Sequence, residues 1–166
     1  MFDTNIKLYG KHATYVKFLA KKTQQLQKDF FGAEVFNRYI DVYKAGIIIG
    51  LVKHLKVDLD NYANADTANI MAETVIAEQN NLTFLYRLCM LLDNKDLSVD
   101  DRVDLAFKFD NDPERTREGM AVFNAYARGG IEWLYDAFTD DATTKEDFLD
   151  KIHEIVIQFN EDYNLE

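Results

Sequence analysis

Three histidines, one cysteine and dense runs of charge are the side chains through which this chain could do chemistry. His12, His54 and His153 are far apart, and none stands four residues from another as the two histidines of a helical zinc site do. Asp150 and His153 are spaced i, i+3, which places a carboxylate and an imidazole on one helical face. A di-metal four-helix centre would need a second such pair and further inward carboxylates. Cys89 lies in the apolar run Leu88-Cys89-Met90-Leu91-Leu92 with no base beside it, and reads as core. Ser98 reads as a helix cap. The Asp-x-Asp-x-Asp-Gly loop of a calcium site is absent from the sequence. The expectation is a chain with no catalytic residues, no metal and no cofactor.

What remains is binding chemistry, in three places. Lys11, Lys17, Lys21, Lys22 and Lys28 fall on one side of a helix with Phe18 projecting among them, a pattern that could track a nucleic-acid backbone. The same lysines could equally form a solvated face or dock on acids of the same fold. Asp93, Asp96, Asp100, Asp101 and Asp104 crowd one acidic stretch, and Asp140, Asp141 and Asp147 another. Such a surface can imitate rows of DNA phosphates and hold a basic protein, or it can simply confer solubility. Arg128-Gly129-Gly130 could expose backbone N–H groups to an anion at a new helix start, or could only kink a helix beside Tyr126, Trp133 and Tyr135.

The charge is segregated along the chain. Residues 1–56 hold ten Lys/Arg and four acids, so with a total of −10 the basic part carries +6 and residues 57–166 carry −16. Two surfaces suited to different partners follow from that split. At 166 residues, 48% apolar and with one proline and seven glycines, the chain reads as one helical domain with a real core. Met1–Asn5 is polar, and the longest uncharged apolar stretch, Ala45 to Val52, is too short for a membrane span. A cytoplasmic protein without membrane contact is expected.

The elements that must position these residues are helices. Ile6–Tyr9 alternates like a short strand ended by Gly10. From Lys11 the period is helical, with Tyr15, Val16, Leu19, Thr23 and Leu26 on one side. A second helix is expected over Ala33–Lys56, with Ala45–Val52 buried all round and Gly46-x-x-x-Gly50 letting another helix approach closely. Val57–Ala65 is a polar connection, and Asp66 or Thr67 is read as the cap of a helix running to about Gln79, with Asn80-Asn81 either punctuating or merely denting it before Leu82–Leu92. Ser98–Asp101 resembles a capping box, Asp112-Pro113-Glu114 is a strong helix start, and Thr144–Asp147 caps a last helix with Phe148, Ile152, Ile155, Val156 and Phe159 in one stripe. The expectation is an all-α, single-domain bundle of about six to seven helices over 1–166.

Tyr43–Leu51, Asn81–Leu88 and Tyr126–Ile131 resemble segments of small helical accessory proteins encoded with bacterial DNA-modification and anti-phage systems. The nearest of these is the DndE family, associated with DNA sulfur modification, to which the apolar G-x-x-x-G helix is similar. That resemblance implies a non-catalytic subunit assembling with larger DNA-acting enzymes. With the opposed charge surfaces, it leads to an accessory subunit that docks a basic protein partner through an acidic helical surface, with a homo-oligomer contact through the glycine helix as the alternative to core packing there. The alternatives are direct nucleic-acid binding through the lysine-rich helix, or an acidic DNA mimic that inhibits a nuclease.

Overall fold

Seven helices and two short strands make up the described residues of the computed structural model, which are 1–20, 35–60, 62, 65–93, 96–108, 112–140, 142 and 144–163. The chain is mostly helical, as its few glycines and prolines implied. In order it runs β1 (Ile6–Tyr9), α1 (Gly10–Leu19), α2 (Tyr39–Val52), β2 (Thr67–Ile70), α3 (Ala72–Ala77), α4 (Gln79–Asp93), α5 (Val99–Phe107), α6 (Pro113–Thr139) and α7 (Lys145–Tyr163).

β1 alternates as its sequence does, and pairs antiparallel with β2 so that Ile6 faces Ile70 and Leu8 faces Ala68. Leu8, Ala68 and Ile70 are buried, whereas the paired Lys7 and Asn69 are exposed. Thr67 therefore does not open a helix, contrary to the cap signal at Asp66. Asp66 instead accepts from its neighbour's amide, Thr67 N, at 2.8 Å and serves the strand's start. The next helical break falls at Glu78, between α3 and α4, and not at Asn80-Asn81.

Gly10 turns the chain from β1 into α1 with φ +57°, a conformation that favours glycine, and a side chain there would overlap the Asp60 carboxylate. Asp60 is itself part of the joint. Its Oδ2 accepts from Lys11 N at 2.9 Å, placing a negative charge at the first turn of α1, where unpaired amides and the helix dipole favour it. The helix ends at Leu19 because Ala20 is extended (φ −102°, ψ 147°) and bridges to Phe36. Thr23 and Leu26, expected to continue the inward face of α1, lie outside the described residues. α2 begins at Tyr39, several residues after the expected Ala33, with Phe36 in that bridge.

The centre of the fold is the crossing of α2 and α6. Gly46 and Gly50 of α2 meet the Tyr126–Ile131 stretch of α6 backbone to backbone. A Cβ at Gly46 would lie 2.7 Å from the Ala127 carbonyl oxygen and 2.8 Å from Ile131 Cγ1, and a Cβ at Gly130 would overlap the Gly46 carbonyl. The tight packing expected of the G-x-x-x-G is therefore present, and Gly129-Gly130 forms its other half. That pair does not interrupt or restart a helix: α6 is continuous from Pro113 to Thr139. Gly129 is reserved for a second close approach, since a Cβ there would strike the backbone of Leu55.

Around the crossing lie Tyr43, Phe123, Ile40, Ile47, Leu82 and Ile131, all fully buried. Phe2 joins them edge-on to Phe123 and Tyr86, and Tyr43 donates to Asn124 Oδ1 at 2.6 Å so that its buried hydroxyl is satisfied. The expected starts of α5, α6 and α7 are all observed. Ser98 and Asp101 exchange cap bonds, Asp112 accepts from Glu114 N and Arg115 N ahead of Pro113, and Thr144 and Asp147 exchange bonds at α7.

Candidate functional site

α2 is apolar on every side over Ala45–Val52, which predicts complete burial. The structure covers only part of it. Gly46, Ile47, Gly50 and Leu51 turn inward, but Ile48 is 47% exposed and Val52 is also exposed. Their neighbour across the surface is α7. Its Phe148, Ile152, Ile155 and Phe159 form the expected inward stripe, with Phe159 edge-on to Trp133 of α6 at 5.9 Å between ring centres. Val156, placed in that stripe by its spacing, is instead 52% exposed.

The result is a groove among α2, α6 and α7, lined by Ile48 and Ile49, by Trp133 and Leu134, and by Ile155, Val156 and Phe159. Its described lining carries no charged side chain. Leu149, Val156 and Tyr163, spaced seven apart and all exposed, continue the apolar surface along α7. Lys53 closes one side, its ammonium 4.7 Å from the centre of the Trp133 ring and 5.6 Å from that of Phe159. The sequence of α7 is acidic: Glu146, Asp147, Asp150, Glu154, Glu161 and Asp162 stand against Lys145 and Lys151, a balance of −4, and Asp150, Glu154, Glu161 and Asp162 are exposed.

The acids singled out in the sequence serve several roles. Asp93 is part of the interior: Tyr126 donates to its Oδ1 at 2.7 Å and Lys56 pairs with the same oxygen. That carboxylate and burial together push the Tyr126 hydroxyl well above its ordinary range, burial being the larger cause. Asp101 and Asp147 belong to helix caps, and Asp104 pairs with Lys108 at 2.6 Å. Asp96, Asp100 and Asp140 are exposed; Asp141 lies outside the described residues.

The basic face of α1 is reduced in the same way. Lys11 pairs with Glu132 at 2.7 Å and Lys17 with Asp66 at 2.5 Å. Phe18 does not project among lysines. It is half-buried, edge-on to Tyr135 of α6 and Phe148 of α7 at 5.2 and 5.7 Å. Lys21, Lys22 and Lys28 lie outside the described residues. Arg128, Gly129 and Gly130 stand inside α6, where no new helix start offers free amides; Arg128 Nε donates to Val57 O at 2.7 Å.

Of the titratable groups singled out in the sequence, His12 and Cys89 are buried. His12 is buried with its Nε2 2.9 Å from Glu132 Oε1, and burial lowers its pKa although the carboxylate opposes that. Cys89 is buried and its thiol is pushed up to about 12, chiefly by desolvation. Asp150 and His153 are both exposed. Among the described residues no group of three or more His, Cys, Asp or Glu is arranged to hold a metal ion, and no helix is long and apolar enough to cross a membrane.

Sequence reasoning missed the groove as a site, although one signal for it was present. Ile155-Val156-Ile157 is a run of three β-branched apolar residues, too wide a face for one neighbouring helix to cover. No protein-family model matches the chain, and neither a curated protein nor a solved structure does.

Proposed function

We propose that this chain is a non-catalytic interaction subunit that docks a partner protein through the groove among α2, α6 and α7. The observation that supports this reading is the combination of an uncovered apolar lining with a helix of net −4 beside it. Single exposed apolar residues are ordinary, whereas a contiguous set on neighbouring elements is characteristic of binding surfaces. The occupant we infer is a basic amphipathic helix. Its apolar anchors at helical spacing would fill the groove, and its Lys/Arg would face Asp150, Glu154 and Glu161. Such segments are common in proteins that contact nucleic acid, so the setting implied by the resemblance, a bacterial DNA-acting or anti-phage assembly, is the one in which we place it.

Ile48→Lys and Val156→Lys alter exposed side chains and should leave the circular dichroism spectrum unchanged. Affinity capture from the source cells at low salt should recover a stoichiometric partner, cross-linked to α2 or α7 through a basic amphipathic segment. Either substitution should release it. A partner that both variants retain, or a monomer that recovers no partner at low salt, would sink the proposal. So would a homodimer broken by the two substitutions, which would assign the groove to a second copy.

A further inference from the structure

A second concavity lies on another part of α6, under β1. It encloses about 420 Å³, within the range of small-molecule sites. One wall is the chain from Thr4 to Tyr9; the other is a single face of α6 bearing Met120, Asn124 and Arg128 at i, i+4 and i+8. Phe2, Leu8 and Met120 make much of it apolar.

Its charge is unusual for this protein. In a chain of −10, none of the described residues lining this cleft is acidic, and two are cations, Lys7 and Arg128. Several cations elsewhere find carboxylates: Lys11 with Glu132, Lys17 with Asp66, Arg38 and Lys44 with Glu78, and Lys56 with Asp93. Lys7 and Arg128 have no ion-pair partner among the described residues. Arg128 is half-buried and held in place by the bond from Nε to Val57 O, and its other guanidinium nitrogens have no hydrogen-bond partner among the described residues. Asp58 is near enough to favour the charge but does not reach ion-pairing distance, and burial works against it. A half-buried guanidinium with free donors and a fixed fork is suited to a carboxylate.

Asn124 is preorganised beside it. The amide oxygen accepts from Tyr43 and one amide hydrogen goes to Met120 O, which fixes the side chain and leaves its second N–H available. We propose that this cleft binds a small organic carboxylate with an apolar body, its carboxylate on Arg128 with Lys7 nearby and its body against Phe2, Leu8 and Met120. The proposal does not depend on the groove or on what occupies it.

The test is an ¹H–¹⁵N NMR titration of the full chain with decanoate, decanol and inorganic phosphate. Decanoate should give saturable shifts centred on β1 and on Asn124 and Arg128, and decanol and phosphate should each bind at least about tenfold more weakly, since each lacks one half of the recognition. Arg128→Gln should weaken decanoate by a similar factor. Because Arg128 also anchors Val57, two substitutions at exposed positions give an independent check. Lys7→Gln should weaken decanoate several-fold, and Ala121→Trp, at the lining of the cleft, should abolish its shifts while leaving the remaining spectrum in place. Equal binding of decanol or of phosphate, decanoate binding unchanged by Ala121→Trp, or no saturable shift with decanoate would overturn the proposal.

Discussion

Replacing Gly46 by alanine sets two effects of known sign against each other at the α2–α6 crossing. Inside a helix, glycine to alanine is favourable by about 1 kcal/mol when there is room for the methyl group. Here there is none, because the new Cβ would stand 2.7 Å from the Ala127 carbonyl oxygen and 2.8 Å from Ile131 Cγ1. Ordinary contact begins near about 3.5 Å, so the helices must part locally by roughly 0.8 Å, a gap that forfeits a quarter to a half of the dispersion energy of the atoms it separates. Ile131 can move its Cγ1 only by turning about the Cα–Cβ bond, and the Ala127 carbonyl is fixed in the α6 ladder and cannot move at all. Because that carbonyl cannot give, overpacking falls in the upper part of its usual range, about 2–3 kcal/mol, and the net loss after the helix gain of about 1 kcal/mol is about 1–2 kcal/mol. That corresponds to a urea midpoint lower by about 0.5–1 M at unchanged slope, followed by far-ultraviolet circular dichroism. Gly130→Ala should cost more, about 3 kcal/mol, because its Cβ would overlap the Gly46 carbonyl and both groups in conflict are backbone. A Gly46→Ala protein that unfolds at the same or higher urea concentration than the parent would refute the close-approach account, as would a Gly130→Ala protein more stable than Gly46→Ala.

Other perturbations give outcomes of either sign. His54 closes α2 in the left-handed region (φ 56°), with Leu55 N donating to Gly50 O at 2.8 Å, and it is exposed; His54→Gly should raise stability by roughly 0.5–1 kcal/mol in the same urea assay. Asn81, Lys44 and Arg38 hold the Glu78 carboxyl down to about 2, and a carboxylate lowered on folding contributes stability that is present at neutral pH and lost as pH falls from about 4.5 towards about 2. Glu78→Gln should remove that acid-dependent portion of the melting-temperature profile. His12, lowered by burial, should add an earlier decline starting below about 6.5, since its protonation favours the unfolded chain. Cys89 should resist a thiol reagent at pH 8 in the native protein and react once denatured; rapid native labelling would contradict its burial and its raised pKa.

Much of the fold was legible because its signals are local. The Asp112-Pro113-Glu114 start, the Ser98 and Thr144 caps and the alternation of Ile6–Tyr9 each depend on atoms a few residues apart, and each is observed. The failures share the opposite character. Thr67–Ile70 is a strand because β1 lies beside it, sixty residues away in sequence, and its own composition gives little sign of that. Gly129-Gly130 resembles a helix break until its partner glycines are known, at which point it becomes one side of a contact. Lys11 and Lys17, two of the lysines that read as a binding face, are paired across the fold with Glu132 and Asp66, which no helical projection of α1 alone could reveal. The groove was half legible: the apolar character of Ala45–Val52 and of Ile155–Ile157 was plain, but which side of each remains uncovered depends on where α6 ends and α7 lies. Arg128 was singled out for an anion on the strength of the glycines after it, whereas the structure gives it a different relevance, through its own side chain and the cleft beneath β1.

The glycine crossing has a consequence for the order in which the protein comes apart. Folding restricts side-chain rotamers as well as backbone, and Gly46, Gly50, Ala127, Gly129 and Gly130 have no rotamers to restrict. Contact between α2 and α6 is thus made at unusually little side-chain entropy, among residues that are themselves buried. Surface-facing helices such as α7 can detach while this joint stays closed, because each helix at the crossing is shielded by the other's backbone. The amides of Gly46–Gly50 and Ala127–Ile131 are expected to exchange with solvent only on global unfolding, later than those of α7. In this protein the residues with the least to contribute chemically define the last structure to be lost.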